Sequence, residues 1–391
     1  MRVFVTLEGI QNPKRPMTKS SKNGEYTEKR LLQKPQIIIH QPLPKVLVLH
    51  TGGTLGMDPY ESYETDANGR LVLKKGTGGR YQRGLRPGAM LDTLLYNVPE
   101  LSTLADLDLI IPFNKDSTNI GPQEWIKLAK LLHNKRELYE AFLLVHGTDT
   151  MAFTASALSL MLAGFRKPIV LTGSQIPLAL PRSDARQNLV DALTCAVDSM
   201  RRGSIHFQEV AICFGGRLIR GNRSQKINST NYQAFDSLSY PHLAKIGIDI
   251  EWNEFALLKT QGVYNPQFSL ETRVMRLPVV PGCDPRIAYG DLYGRGIRGI
   301  VLEAFGVGNL PDKKDGWLPW IKSQRRKGLH IYLRSQSSLG PLAPQLYRSG
   351  SAAMKMGVET GPQMTPECAC AKMMLCLKTN LPMGMPLAGE I

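Results

Sequence analysis

Long apolar runs are missing from this 391-residue sequence. No stretch approaches the roughly 18–20 uninterrupted residues that a membrane helix needs, so no helical membrane span is expected. Cysteines are few and unpaired: the six at 195, 213, 283, 368, 370 and 376 contain no CxxC spacing. The seven histidines form no HExxH or similar cluster. Neither a structural nor a catalytic metal is expected on that basis. The thiols should be reduced, as in an intracellular compartment, and Cys213, inside an apolar run, should behave as a small hydrophobe.

Acidic residues are also scarce, 33 Asp and Glu against 48 Lys and Arg, which leaves a formal net charge of +15. Eight of the basic residues and three glutamates fall in residues 1–44. The rest of the excess is scattered, with small clusters such as Arg201-Arg202 and Arg325-Arg326-Lys327. No aromatic residues are interleaved with those clusters, as a base-stacking platform would require. A solvated basic surface is the expectation, and nucleic acid is not expected as the main partner. Residues 1–44 themselves show little periodicity and read as a basic flexible extension. Plastid or mitochondrial import is the targeting alternative, against a cytoplasmic location.

What the sequence does have, from residue 45 onward, is a repeated alternation. Short runs rich in Val, Ile and Leu at 45–49, 141–145, 168–172, 209–214 and 299–302 read as strands covered on both faces. Helical patterns lie between them. Residues 122–134 put Trp125, Leu128, Leu131 and Leu132 on one face; 150–163 stop at Gly164; 183–200 start at Ser183 as N-cap and carry Leu189, Leu193, Ala196 and Val197 inward. The alternation predicts an α/β fold with a mostly parallel sheet between helices. The rhythm lapses over 255–275, read as a linker. The domains expected are therefore a larger one over 45–254 and a smaller α/β one over 276–391. The second should contain strands near 299–303 and 329–333, and a final helix capped by Thr365 with Pro366 in its first turn.

Ligands of open parallel sheets bind beyond the carboxyl ends of the strands. Those ends carry His50-Thr51-Gly52-Gly53-Thr54, His146-Gly147-Thr148-Asp149, Thr172-Gly173-Ser174-Gln175 and Gly215-Gly216-Arg217. A phosphate cradle would need GxxxxGK[ST] or a GxGxxG fingerprint. HTGGTLGM has no lysine and adjacent glycines, so it is neither. It offers instead a hydroxyl, Thr54, with cleared space around it. A threonine needs a base, and the base an orienting partner; Thr148 with Asp149, and Lys226 in RGNRSQK, are the candidates. Taken alone, a Thr-Asp pair after a strand is equally a cap, and Lys226 equally a surface residue.

At these residues the sequence resembles the asparaginase family, in particular the bacterial cytosolic (type I) branch and its eukaryotic relatives. The resemblance is carried by TGGTLGM at 51–57, LVHGTDTMAFTASALSLML at 144–162, PIVLTGSQIPL at 168–178 and RSDARQNLVDAL at 182–193. It continues in RLIRGNRSQK at 217–226, FGVGN at 305–309 and MTPECACAK at 364–372, in family order. It implies a two-domain asparaginase-like fold and hydrolysis of L-asparagine to L-aspartate and ammonia without cofactor or metal. Carried across, Thr54 is the nucleophile candidate, and Thr148, Asp149 and Lys226 form the relay that activates a hydroxyl or a water; which threonine forms the covalent intermediate is left open by the resemblance. Asp116, Ser117 and Thr118 occupy the substrate-holding DSS motif. A homodimer or homotetramer is implied as well.

The chain departs from the pattern in places. Residues 57–114 are longer than usual and should contain a mobile lid whose tyrosine could be Tyr60, Tyr63 or Tyr81. Asn119 replaces a frequent acid. Glu303 and Ser337 stand where type I enzymes carry arginine and cysteine in an allosteric asparagine pocket, which argues against unchanged regulation. Three alternatives remain beside asparaginase: a glutaminase or other amide hydrolase of the same fold, a transamidating tRNA amidotransferase subunit, and a non-catalytic amino-acid or nucleic-acid binder. The transamidating subunit carries a folded domain ahead of this unit, for which 44 loose residues are too few.

Overall fold

The computed structural model describes residues 42–53, 55, 63–65, 71–73, 93–202, 206–259, 262–312 and 316–391; for 63–65, 71–73 and 199–202 it describes backbone only. Residues 43–391 form one compact unit. Thr54, Tyr60, Tyr81, the Tyr63 side chain and nearly all of the expected extension lie outside the described residues.

The larger sheet has eight strands: β1 Lys45–His50, β2 Asp106–Ile110, β3 Ala141–Val145, β4 Ile169–Thr172, β5 Val210–Phe214, β6 Arg217–Arg220, β7 Ala244–Ile246 and β8 Ile250–Trp252. They lie in the order β8-β7-β6-β5-β4-β3-β1-β2. The strands β1 to β5 are parallel; β6, β7 and β8 are added antiparallel. The strands expected from apolar runs are present within a residue or two. β2 has no such run: its sequence DLDLI alternates, and none of its residues is fully buried. It is an edge strand, and Asp106 and Asp108 place charge where another strand could otherwise add.

Helices cover both faces. α1 (Pro122–Lys135) starts with proline in its first turn, and Glu124 accepts the Gly121 N–H at 3.0 Å; Trp125, Leu128, Ala129 and Leu132 face inward. α2 (Met151–Met161) is apolar almost all round and lies inside the molecule. The pattern placed the next helix from Ser183, but α3 spans Ala185–Arg202. Ser183 therefore sits one residue before the cap position, although its hydroxyl still accepts the Ala185 N–H at 3.1 Å. Leu189, Leu193, Ala196 and Val197 are fully buried, as is Cys213.

The smaller sheet is three parallel strands, β9 Val274–Pro278, β10 Gly299–Ala304 and β11 His330–Ser335, in that order. α4 (Trp317–Lys327), α5 (Arg348–Lys355) and α6 (Pro366–Thr379) accompany it. Thr365 caps α6 through the Cys368 N–H, 3.2 Å away, with Pro366 next. α6 packs on α2, so one apolar core runs from Leu47 and Phe142 through Met151 to Cys368, Val301 and Tyr332. The other face of the large sheet has its own core, centred on α3. Among the described residues no helix is long and apolar enough to cross a membrane.

Candidate active site

Register places the site. Leu49 of β1 lies opposite Leu144 of β3 and Ile110 of β2, and His50 opposite Val145, so the segments that begin at Thr51 and His146 leave the sheet at one level. Thr51 staples them together. It is fully buried, its N–H and hydroxyl both reach the Val145 carbonyl (3.0 and 2.9 Å), and its own carbonyl accepts the Lys115 N–H at 3.0 Å. The loops then touch through glycines. A Cβ on Gly53 would lie 2.5 Å from the Gly147 backbone, and one on Gly147 would lie 2.7 Å from the Ser117 side chain. Only glycine permits that approach.

On this base the Lys226 Nζ donates to the Thr148 hydroxyl at 2.8 Å and to Asp149 Oδ1 at 2.7 Å. Thr148 is buried, the Lys226 side chain is 20% exposed and that of Asp149 59% exposed. An ion pair this wet adds little to stability, so its consequence is geometric: the amine is held against one particular hydroxyl. The Lys226 amine thus meets a buried hydroxyl on one side and a half-open carboxylate on the other.

Ser117 is buried and its carbonyl accepts the Thr150 hydroxyl at 2.6 Å, which ties the 117–119 turn to the 146–150 loop. Asp116 and Thr118 are exposed on the same turn. Asp116 Oδ1 accepts both the N–H and the hydroxyl of Thr118 at 2.8 Å, and among the described residues nothing bonds Oδ2.

Two supporting sets escaped the sequence reading. The first is His146, which is fully buried; burial lowers its pKa to about 4. Nδ1 lies 2.7 Å from the Gly147 carbonyl and Nε2 3.0 Å from the Thr154 hydroxyl, which also accepts the Trp125 indole N–H at 3.0 Å. A carbonyl cannot donate, so Nδ1 carries the proton and Nε2 accepts from Thr154. This neutral tautomer anchors the peptide just before Thr148. The second set is Asp184 and Asn188 at the start of α3. Asp184 accepts the N–H groups of Gln175 and Ile176 at 3.0–3.1 Å. Asn188 bonds the Gly173 carbonyl at 3.0 Å and the Gly215 N–H at 3.1 Å, joining the loops after β4 and β5. Gln175 so fixed bonds the Asn231 carbonyl at 3.1 Å, with Oε1 3.5 Å from the Thr148 hydroxyl. The available signal was the density of short polar residues in RSDARQN.

In the smaller module, Glu303 is buried; Arg334 donates to it, and Arg276 Nε lies 3.0 Å away. Among the described residues no group of three or more His, Cys, Asp or Glu side chains could hold a metal ion.

The fold and this cluster define a two-domain α/β protein with an amine, a hydroxyl and a carboxylate gathered at the carboxyl edge of its larger sheet. The family model "Asparaginase, N-terminal" matches residues 45–257 and "Glutaminase/Asparaginase C-terminal domain" matches 273–383. The chain belongs to the asparaginase family. It is 31% identical to the mouse 60 kDa lysophospholipase over 85% of this chain and 58% of that protein. It is 30% identical to L-asparaginase 1 of Escherichia coli K12, over 86% and 92% of the two chains. The crystal structure of L-asparaginase I from Vibrio cholerae superposes with a TM-score of 0.72 at 29% identity, covering 89% of this chain and 99% of that one. The chain thus spans under two thirds of the mouse relative, and nearly all of the bacterial ones.

Proposed function

We propose that the protein hydrolyses the side-chain amide of L-asparagine to L-aspartate and ammonia, with Thr54 as nucleophile. The observation that carries this reading is the bonding of the Lys226 amine to both Thr148 and Asp149. An amide is a poor electrophile with a poor leaving group, so its hydrolysis needs a nucleophile, a group that moves protons and a place for the oxyanion. Thr54 follows Gly53 in the loop locked against Gly147. Its hydroxyl oxygen bonds the amide carbon as its proton passes to the relay of Thr148 and Lys226. Asp149 holds the lysine in place. The relay returns the proton to the leaving nitrogen, ammonia departs, and water then opens the Thr54 ester to give aspartate. Backbone N–H groups of the glycine turns serve the oxyanion. Asp116, Ser117 and Thr118 hold the α-amino and α-carboxylate groups, Asp116 through Oδ2, since Oδ1 is taken by Thr118.

On this reading 45–254 is the catalytic domain, 255–275 the linker and 276–391 the second domain. The enzyme works as a homodimer or homotetramer in the cytosol, in keeping with six free cysteines. An ammonia assay with asparagine and glutamine, beside a lysophospholipid ester control, tests the substrate. Ammonia from asparagine in preference to glutamine is expected, with loss of turnover in a folded Thr54→Val variant. Turnover retained by that variant would remove Thr54 from its role. Ester cleavage without amide cleavage would overturn the reaction class.

A further inference from the structure

Lys226 is reached through a short, wholly buried turn, and that turn is held from the far end of the chain. After β6 the backbone makes one turn over Gly221–Arg223, passes Ser224 and enters the strand Gln225–Lys226. Asn222 is fully buried; its amide donates to Ser159 on α2 at 3.0 Å and to the Ala388 carbonyl at 2.8 Å. The Gly389 carbonyl accepts from Arg223 Nε at 3.0 Å and Arg220 Nη1 at 3.3 Å. Two consecutive carbonyls of segment 387–390 therefore receive three side chains of the segment leading to Lys226.

That segment takes its shape from one carboxylate. Glu390 is fully buried, and its oxygens accept the N–H groups of Leu387 (3.0 and 3.2 Å) and Ala388 (2.7 Å). They also accept from the Lys372 Nζ of α6 at 2.5 Å, and Lys372, equally buried, donates to the Met385 carbonyl at 2.6 Å. A dry ion pair is weak evidence for stability, since two charges must be stripped of water to make it. Such a pair is better explained by what its geometry imposes.

We propose that Lys372 and Glu390 are positioning residues for the reaction: they fold segment 385–390 so that the Ala388 and Gly389 carbonyls fix the 220–223 turn, and through it the Lys226 amine against Thr148 and Asp149. The proposal rests on the catalytic reading of Lys226, and the test separates the two. Lys372→Met with Glu390→Leu replaces the pair by apolar side chains of similar volume, which buried pairs often tolerate. The double variant should stay folded, lose at least tenfold in kcat for asparagine, keep KM within twofold, and exchange the amide hydrogens of 221–226 at least tenfold faster. Glu390→Gln, which keeps an acceptor for the Leu387 and Ala388 N–H groups, should fall between it and the parent. A folded double variant with kcat within twofold and unchanged exchange at 221–226 would overturn the proposal, as would a change in KM alone. If the double variant does not fold, Glu390→Gln decides by the same readouts. If the parent releases no ammonia from asparagine, the catalytic reading fails, and exchange at 221–226 alone decides whether the pair holds the turn.

Discussion

Gly53 packs against Gly147 at the carboxyl ends of β1 and β3 so closely that it has no room for a side chain. A Cβ on Gly53 would fall 2.5 Å from both the Cα and the N of Gly147, and φ at Gly53 is +91°. The loop ahead of Thr54 and the loop ahead of Thr148 are thereby pinned to each other. Two costs would add in Gly53→Ala, backbone strain and overlap with a backbone that has nowhere to move, together about 2–4 kcal/mol.

Gly282 provides the control for that substitution. Its φ of +79° is as strained for alanine, but nothing lies within 4 Å of its Cβ position. Gly282→Ala should therefore cost about 1 kcal/mol and leave kcat unchanged. Gly53→Ala should lower the melting temperature further and reduce kcat by about 100-fold, the scale expected of a misplaced reacting group. Equal effects of the two substitutions on kcat would show that the close approach does not matter.

The relay makes a different prediction, because its members contribute little to folding. Asp149 is more than half exposed, so Asp149→Asn should change unfolding free energy by less than about 1 kcal/mol. Lys226→Met and Thr148→Val should each lower kcat by about 10²–10⁴, the usual scale of general acid–base assistance. Circular dichroism melts beside ammonia release measure both quantities on one sample. A Lys226→Met variant within tenfold of the parent would remove the lysine from the mechanism.

Saturation by asparagine should be hyperbolic. The resemblance locates the type I regulatory pocket around positions 303 and 337, with arginine at the first. Here that position is Glu303, buried and already engaged by Arg334 and Arg276. Two arginines already paired with a protein carboxylate leave little positive charge there for an amino acid's carboxylate. Initial rates across asparagine concentration are the measurement, and a sigmoidal curve would contradict this account.

Much of the architecture was legible because buried parallel strands are nearly continuous apolar runs, as VAICF and AFLLV show. β2 was not, since an edge strand open to solvent alternates like any surface segment. β7 and β8, three residues each, are too short for any period to register. In the site, Thr148, Asp149 and Lys226 could be named as candidates by residue type. Their contact could not, because 77 residues separate Lys226 from Asp149. The Glu390 contact with Lys372 was equally invisible. Nothing in MPLAGEI distinguishes a buried glutamate from a solvated one before the fold closes around it.

His50, the residue that ends β1 just before the glycine loop, ties the stability of this site to pH. It is buried, and neither ring nitrogen has a hydrogen-bond partner among the described residues. Burial lowers its pKa to about 4 from the usual 6.5. As pH falls from about 6.5 to about 4, the unfolded chain takes up a proton on this histidine that the folded chain refuses, so stability falls across that window. Above pH 6.5 both states are neutral and the full stability is present. A shift of this size corresponds to roughly 3 kcal/mol, and His146, lowered to about 4 by its own burial, adds a fall of the same sign. His50→Leu removes one of the two and leaves no polar atom orphaned. Urea unfolding at pH 7.5, 6, 5 and 4.5 should show the variant at least as stable as the parent at pH 7.5, with a shallower loss towards acid. Parallel curves for the two proteins would mean that His50 is protonated alike in both states.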